Sequence, residues 1–142
     1  MTIAAVIRSK GNAVETIAAE ASLTDVVHRL GEKRIGALLV TDDGRIAGII
    51  SERDVIYSLR TGGADVLDWP VSRIMTAPAI TIDSSMDVLG ALALMTQRRI
   101  RHLPVVDAGE LKGIVSIGDL VKHRMDQIEA EAEAMRSYIQ SA

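Results

Sequence analysis

Cysteine and phenylalanine are both absent from the 142 residues. Without a thiol the chain can form no disulfide and no thiolate metal site, and a reducing, cytoplasmic setting is the expectation. Aromatic residues amount to 2%, as one Trp and two Tyr. A stacking surface for single-stranded nucleic acid is therefore not expected, and the core must be aliphatic. Positive charge is not in excess either: 16 Lys and Arg stand against 19 Asp and Glu, for a formal net charge of −3. That balance offers no basic field to a polyanion, so nucleic acid is not an expected partner. No apolar run approaches the roughly 18 residues of a membrane span, and no membrane partner is expected. The opening segment lacks the basic start and apolar length of an export signal. His28, His102 and His123 show no metal-ligand spacing. No His–acid set accompanies any serine, so nucleophilic catalysis is not expected.

What is present is ordinary globular composition, 48% hydrophobic and 25% charged, arranged as an internal repeat. An offset of 65 residues takes Thr16-Ile17 onto Thr81-Ile82 and Arg34-Ile35 onto Arg99-Ile100. It takes Leu38 onto Leu103, Val40 onto Val105, Gly48-Ile49 onto Gly113-Ile114, Ser51 onto Ser116, and Asp54 onto Asp119. No insertion or deletion is needed. Each copy reads β-α-β-β-α. In the first copy, a short apolar strand is predicted over 14–17. Leu23, Val26, Val27 and Leu30 recur at helical spacing. Two apolar runs, 37–41 and 46–50, flank the turn signal Asp42-Asp43-Gly44 and read as a hairpin. A second helix starts at Ser51. The second copy repeats this with a strand over 79–82, a helix over 86–98, strands over 103–106 and 111–115, and a helix over 117–125. Boundaries drawn on the repeat give a first motif over 1–60 with a lead-in helix over 1–12, and a linker over 61–74. A second motif over 75–125 and a C-terminal helix over 126–142 follow. The linker carries Thr61-Gly62-Gly63 and Trp69-Pro70, both breakers, with Trp69 expected to anchor it.

The segments Gly48-Ile49-Ile50-Ser51-Glu52-Arg53-Asp54 and Gly113-Ile114-Val115-Ser116-Ile117-Gly118-Asp119 resemble the hallmark of CBS domains. Met75-Thr76-Ala77-Pro78 resembles the usual opening of a second CBS motif, and Arg99 through Asp107 resembles its middle strand. The resemblance covers nearly the whole chain. It implies an α/β (α+β) fold: two CBS repeats packed with pseudo-twofold symmetry into a Bateman module, plus a C-terminal amphipathic helix. It also implies clefts that take an adenine nucleotide, with AMP as the expected ligand and ATP, ADP, NAD(H) or S-adenosylmethionine as alternatives.

The chemistry of the motif agrees. Gly48 and Gly113 permit close backbone approach. Ser51 and Ser116 stand where helices begin, where free N–H groups and the helix dipole favour an anion. Asp54 and Asp119 lie one turn further, where the resemblance makes each an acceptor for ribose hydroxyls. Thr16-Ile17 and Thr81-Ile82 would form the strand edge beside the base. Ala37-Leu38 and Leu103-Pro104 would form the apolar wall of an adenine slot, with Pro104 contributing packing only. Arg53 and Arg101, with His102 beside the latter, are the candidate phosphate contacts, and Lys10, opposite Met75, is a further one. Ser-x-x-Asp is also a capping-box-like pattern, and capping and ribose binding can coexist.

Met125, Ile128, Ala132, Met135 and Ile139 follow alternating spacings of three and four, a narrow apolar helix seam. It should pack on the module or, preferably, on a second copy as a homodimer. The functional expectation is a stand-alone regulatory sensor that acts on a separate effector protein, not an enzyme. The alternative is a structural dimerisation module with empty clefts.

Overall fold

The computed structural model describes residues 1–141. They form two compact units, one of residues 13–80, the other of residues 1–12 together with the chain from Thr81 onward.

The unit of residues 13–80 is built on a three-stranded sheet in the order β1-β2-β3. Its strands are β1, Thr16–Ala18, β2, Ala37–Asp42, and β3, Arg45–Ser51. The strand expected over 14–17 thus begins two residues later. β1 runs parallel to β2, with Ile17 opposite Val40, and β2 pairs antiparallel with β3, with Ala37 opposite Ser51. A parallel pair needs a crossover, and helix α2, Leu23–Lys33, supplies it. Its cap is Ser22, whose hydroxyl accepts from the Asp25 N–H. Helix α3, Glu52–Gly62, follows β3 directly, and two 3₁₀ turns, Gly63–Asp68 and Val71–Arg73, complete the unit. Leu23, Val26 and Leu30 of α2 pack with Ile17, Leu38, Val40, Ile50, Val55, Val66 and Val71 in one aliphatic core. Trp69 anchors the linker: its carbonyl accepts from the Leu23 N–H at 3.0 Å. The Arg73 guanidinium also stacks 3.8 Å from its ring centre.

In the other unit, helix α4, Val88–Arg98, precedes the hairpin of β4, His102–Asp107, and β5, Glu110–Ser116. Both hairpins turn through two residues of positive φ, Asp43-Gly44 at 49° and 74° and Ala108-Gly109 at 51° and 79°. That geometry matches the twist of paired strands. The strand expected over 79–82 does not form; Ile82 makes a single parallel bridge to Val105. Proline explains the difference. In the first unit the Leu39 N–H donates to the Glu15 carbonyl at 3.1 Å. Pro104 stands at the equivalent place and has no N–H to give. The edge segment retains only Ile82 N–H to the Pro104 carbonyl, at 3.0 Å, and Val106 N–H to the Ile82 carbonyl, at 2.8 Å.

The expected helices over 117–125 and 126–142 are one helix, α5, Ile117–Ser141. No glycine or proline follows Gly118 to interrupt it. Position 142 of that expectation lies outside the described residues. The seam residues Met125, Ile128, Met135 and Ile139 are exposed on α5. No helix among the described residues is long and apolar enough to cross a membrane.

The lead-ins exchange places. Helix α1, Ile3–Lys10, precedes the first repeat in sequence but belongs to the unit of the second. Its Ile3 N–H donates to the Met86 carbonyl at 2.8 Å and its Ala4 N–H to the Ser84 carbonyl at 2.9 Å. The lead-in to the second repeat belongs in turn to the unit of the first. There Thr76 and Ile49 exchange two backbone hydrogen bonds, of 2.8 and 3.0 Å.

Candidate functional site

In the unit of residues 13–80 the hairpin brings the start of β2 against the end of β3. Ala37 stands opposite Ser51, and the Glu52 N–H donates to the Gly36 carbonyl at 3.0 Å. Ser51 is the N-cap of α3 and closes a reciprocal box with Asp54. The Ser51 N–H donates to Asp54 Oδ2 at 2.9 Å, and the Asp54 N–H to Ser51 Oγ at 3.3 Å. The hydroxyl of Ser51 also donates to Oδ2, at 3.1 Å. Asp54 Oδ1 faces the exchanged lead-in and accepts from the Thr76 hydroxyl at 3.1 Å. Arg53 is exposed on the first turn of α3. Thr16 and Ile17 lie one strand over, paired with Leu39 and Val40. Ile17 and Leu38 belong to the core, and Ala37 is buried beside them.

The second unit repeats the arrangement. His102 stands opposite Ser116, and the Ile117 N–H donates to the Arg101 carbonyl at 2.9 Å. The Ser116 N–H donates to Asp119 Oδ2 at 2.8 Å, and the Asp119 N–H to Ser116 Oγ at 3.1 Å. Ile82, Leu103 and Pro104 are buried, His102 is half-buried, and Thr81 and Arg101 are exposed. The lead-in partner differs. Lys10 Nζ reaches Asp119 Oδ2 at 2.6 Å and the Ile114 carbonyl at 2.7 Å. Burial opposes ionisation of Asp119, yet the hydrogen bonds from Lys10 and the Ser116 N–H outweigh it. They hold the carboxyl below its ordinary range.

Each unit therefore gathers the Ser, the Asp and the first residues of the middle strand at one helix start. Thr76 was missed as a partner of Asp54, and Lys10 was singled out only for standing opposite Met75. Nothing in local spacing could have paired them, since Thr76 lies 22 residues from Asp54 and Lys10 lies 109 from Asp119. The usable signal was the repeat register itself, in which the two lead-ins align.

A family model described as the CBS domain matches residues 7–61 and again 71–126. The mitochondrial CBS domain-containing protein CBSX3 of Arabidopsis thaliana is 34% identical, over 98% of this chain and 72% of its own length. The CBS domain-containing protein YhcV of Bacillus subtilis is 30% identical, over 82% of this chain and 83% of its own. Among solved structures, the CBS-domain containing protein ATU1752 from Agrobacterium tumefaciens superposes with a TM-score of 0.85 at 35% identity. That superposition covers 87% of this chain and 92% of that one. With two matched copies, a repeated Ser–Asp helix start and this fold, the chain belongs to the CBS domain family, as a tandem pair.

Proposed function

We propose that this CBS pair is a regulatory module that binds an adenine nucleotide, AMP foremost, and transmits its presence to a separate effector protein. CBS pairs are generally regulatory modules for adenosine-containing ligands. The observation that carries the reading here is the identical Ser–Asp box in both units. Each carboxylate is fixed by a serine N–H at the start of a helix, beside the opening residues of the middle strand. A carboxylate held that way is preorganised to accept ribose hydroxyls, and the helix N-terminus favours an anionic ligand. Binding alters the module only through different affinities for its conformations.

Calorimetric titration should show AMP, ATP or NADH binding at micromolar to millimolar concentration. Asp54→Ala and Asp119→Ala should each weaken one site about tenfold or more, the scale of losing a hydrogen bond to a charged group. A chain that binds none of these ligands is not a nucleotide sensor.

One observation favours dimerisation alongside or instead of sensing. The α5 seam repeats at the spacing of a two-helix contact, and Ile128 and Met135 are 48% and 60% exposed on it. Paired with the same seam of a second copy, these residues would leave water. Light scattering should then report a homodimer that Ile128→Lys and Met135→Lys convert to monomer. A monomeric wild-type chain, or a dimer indifferent to both changes, would remove this reading.

A further inference from the structure

Beside Asp119, helices α1 and α5 enclose a half-open recess of about 160 Å³. Ser9 and Lys10 line it from α1, and Lys122, His123 and Asp126 line it from α5. Two facts mark it as more than a surface groove. Lys10, one of its lining residues, is fixed on two acceptors, the Asp119 carboxylate and the Ile114 carbonyl. His123 Nε2 is buried with no hydrogen-bond partner, and a buried polar atom without a partner calls for an explanation.

We propose that this recess is a phosphoryl subsite, in which Lys10, His123 and Lys122 hold the phosphate of a nucleotide whose ribose is held by Asp119. The inference rests on the nucleotide reading above. Ribose hydroxyls that take the Asp119 carboxylate compete with the Lys10 ammonium for Oδ2. A neutral nucleoside would leave that ammonium without its counter-charge, which is costly for a partly buried ion. A phosphorylated ligand supplies a new anionic partner as it removes the old one, and charge-assisted hydrogen bonds to phosphate are strong. Lys10 therefore makes the site discriminate between nucleotide and nucleoside. A turn of the His123 ring would bring its enclosed Nε2 to the phosphate and give it the partner it lacks. Asp126 also lines the recess, and its carboxylate repels further anionic charge, so the subsite suits a single phosphate better than a long polyphosphate.

The other unit lacks this device. The 65-residue offset puts Met75 where Lys10 stands, and Asp54 accepts from the neutral Thr76 hydroxyl instead. Lys10→Met therefore installs the side chain that the other lead-in already carries.

The test compares AMP with adenosine by calorimetry in an Asp54→Ala background, which isolates the Asp119 site, with a thermal melt confirming that each variant is folded. The background chain should bind AMP at least tenfold tighter than adenosine. Lys10→Met should weaken AMP about tenfold and leave adenosine unchanged or tighter, so that the preference collapses. His123→Gln should retain most of the AMP affinity and His123→Ala should lose several-fold, with adenosine indifferent to both. AMP and adenosine weakening together, or a preference that survives Lys10→Met, would overturn the subsite while leaving the nucleotide reading intact. A wild-type chain that binds neither compound overturns the subsite, and one that also binds neither ATP nor NADH overturns the nucleotide reading with it.

Discussion

Leu38→Ala should lower the unfolding free energy by about 2–5 kcal/mol, the range for emptying a close-packed leucine site. Leu38 has no solvent exposure and sits in the aliphatic core of the first unit with Ile17, Ile50 and the α2 leucines. β2 is buried on both faces from Ala37 to Val40, so the neighbours have little freedom to collapse into the hole. A loss of that size is a large share of the 5–15 kcal/mol that typically holds a domain together. The denaturant midpoint reads it directly. Leu103→Ala should act alike in the second unit, because Leu103 is also fully buried, at the same place in the repeat. The same position was expected to wall an adenine slot, and the two roles have different signatures. Leu38→Met keeps the volume and should cost less than about 1.5 kcal/mol. A folded Leu38→Met chain with normal nucleotide affinity would assign the side chain to the core alone. A midpoint unmoved by Leu38→Ala would refute the packing described here.

The elements that periodicity and turn chemistry specify are legible in the sequence. The helix from Leu23, both hairpins, the helix starts at Ser51 and Ser116 and the helical course of the C-terminal segment all stand where the pattern put them, whereas the seam expected to pack is exposed on α5. The errors share a cause: they depend on partners distant in sequence. The strand over 79–82 was read from its likeness to the first copy, and whether it forms depends on an N–H that Pro104 cannot supply. A break near residue 125 was read from the end of the repeat, although nothing in the chemistry of the chain stops a helix there. The pairing of Thr76 with Asp54 and of Lys10 with Asp119 follows from the exchange of lead-ins, which is a property of topology. Two sites with identical Ser and Asp residues thereby differ in what faces the carboxylate, a hydroxyl in one and an ammonium in the other.

That exchange is probed most sharply at Gly48. Its φ is unremarkable, so the residue is needed for space rather than for conformational freedom. A Cβ there would lie 2.6 Å from the Thr76 carbonyl oxygen and 2.9 Å from the Met75 sulfur. The carbonyl is backbone, held by the Ile49 N–H at 3.0 Å, and cannot swing aside. Gly48→Ala should therefore push the Met75–Thr76 segment off β3, breaking its two bonds to Ile49 and withdrawing the Thr76 hydroxyl from Asp54. Overpacking of this kind costs about 1–3 kcal/mol, and each broken backbone hydrogen bond adds about 0.5–1.5 kcal/mol. Gly113 occupies the same place in the other repeat, yet its added Cβ would meet the tip of a side chain, Ile7 Cδ1, at 2.7 Å. That methyl can swing aside with its side chain about 30° off its rotamer, for roughly 0.5–1.5 kcal/mol. Replacing a strand glycine by alanine returns about 0.5–1 kcal/mol in both variants. Gly113→Ala should thus be close to neutral while Gly48→Ala is clearly destabilising, in paired denaturant titrations. Amide exchange should localise the difference, with protection lost at Ile49 and Thr76 in Gly48→Ala alone. Equal effects at the two glycines would mean that the lead-in of the second repeat does not dock on the first as described.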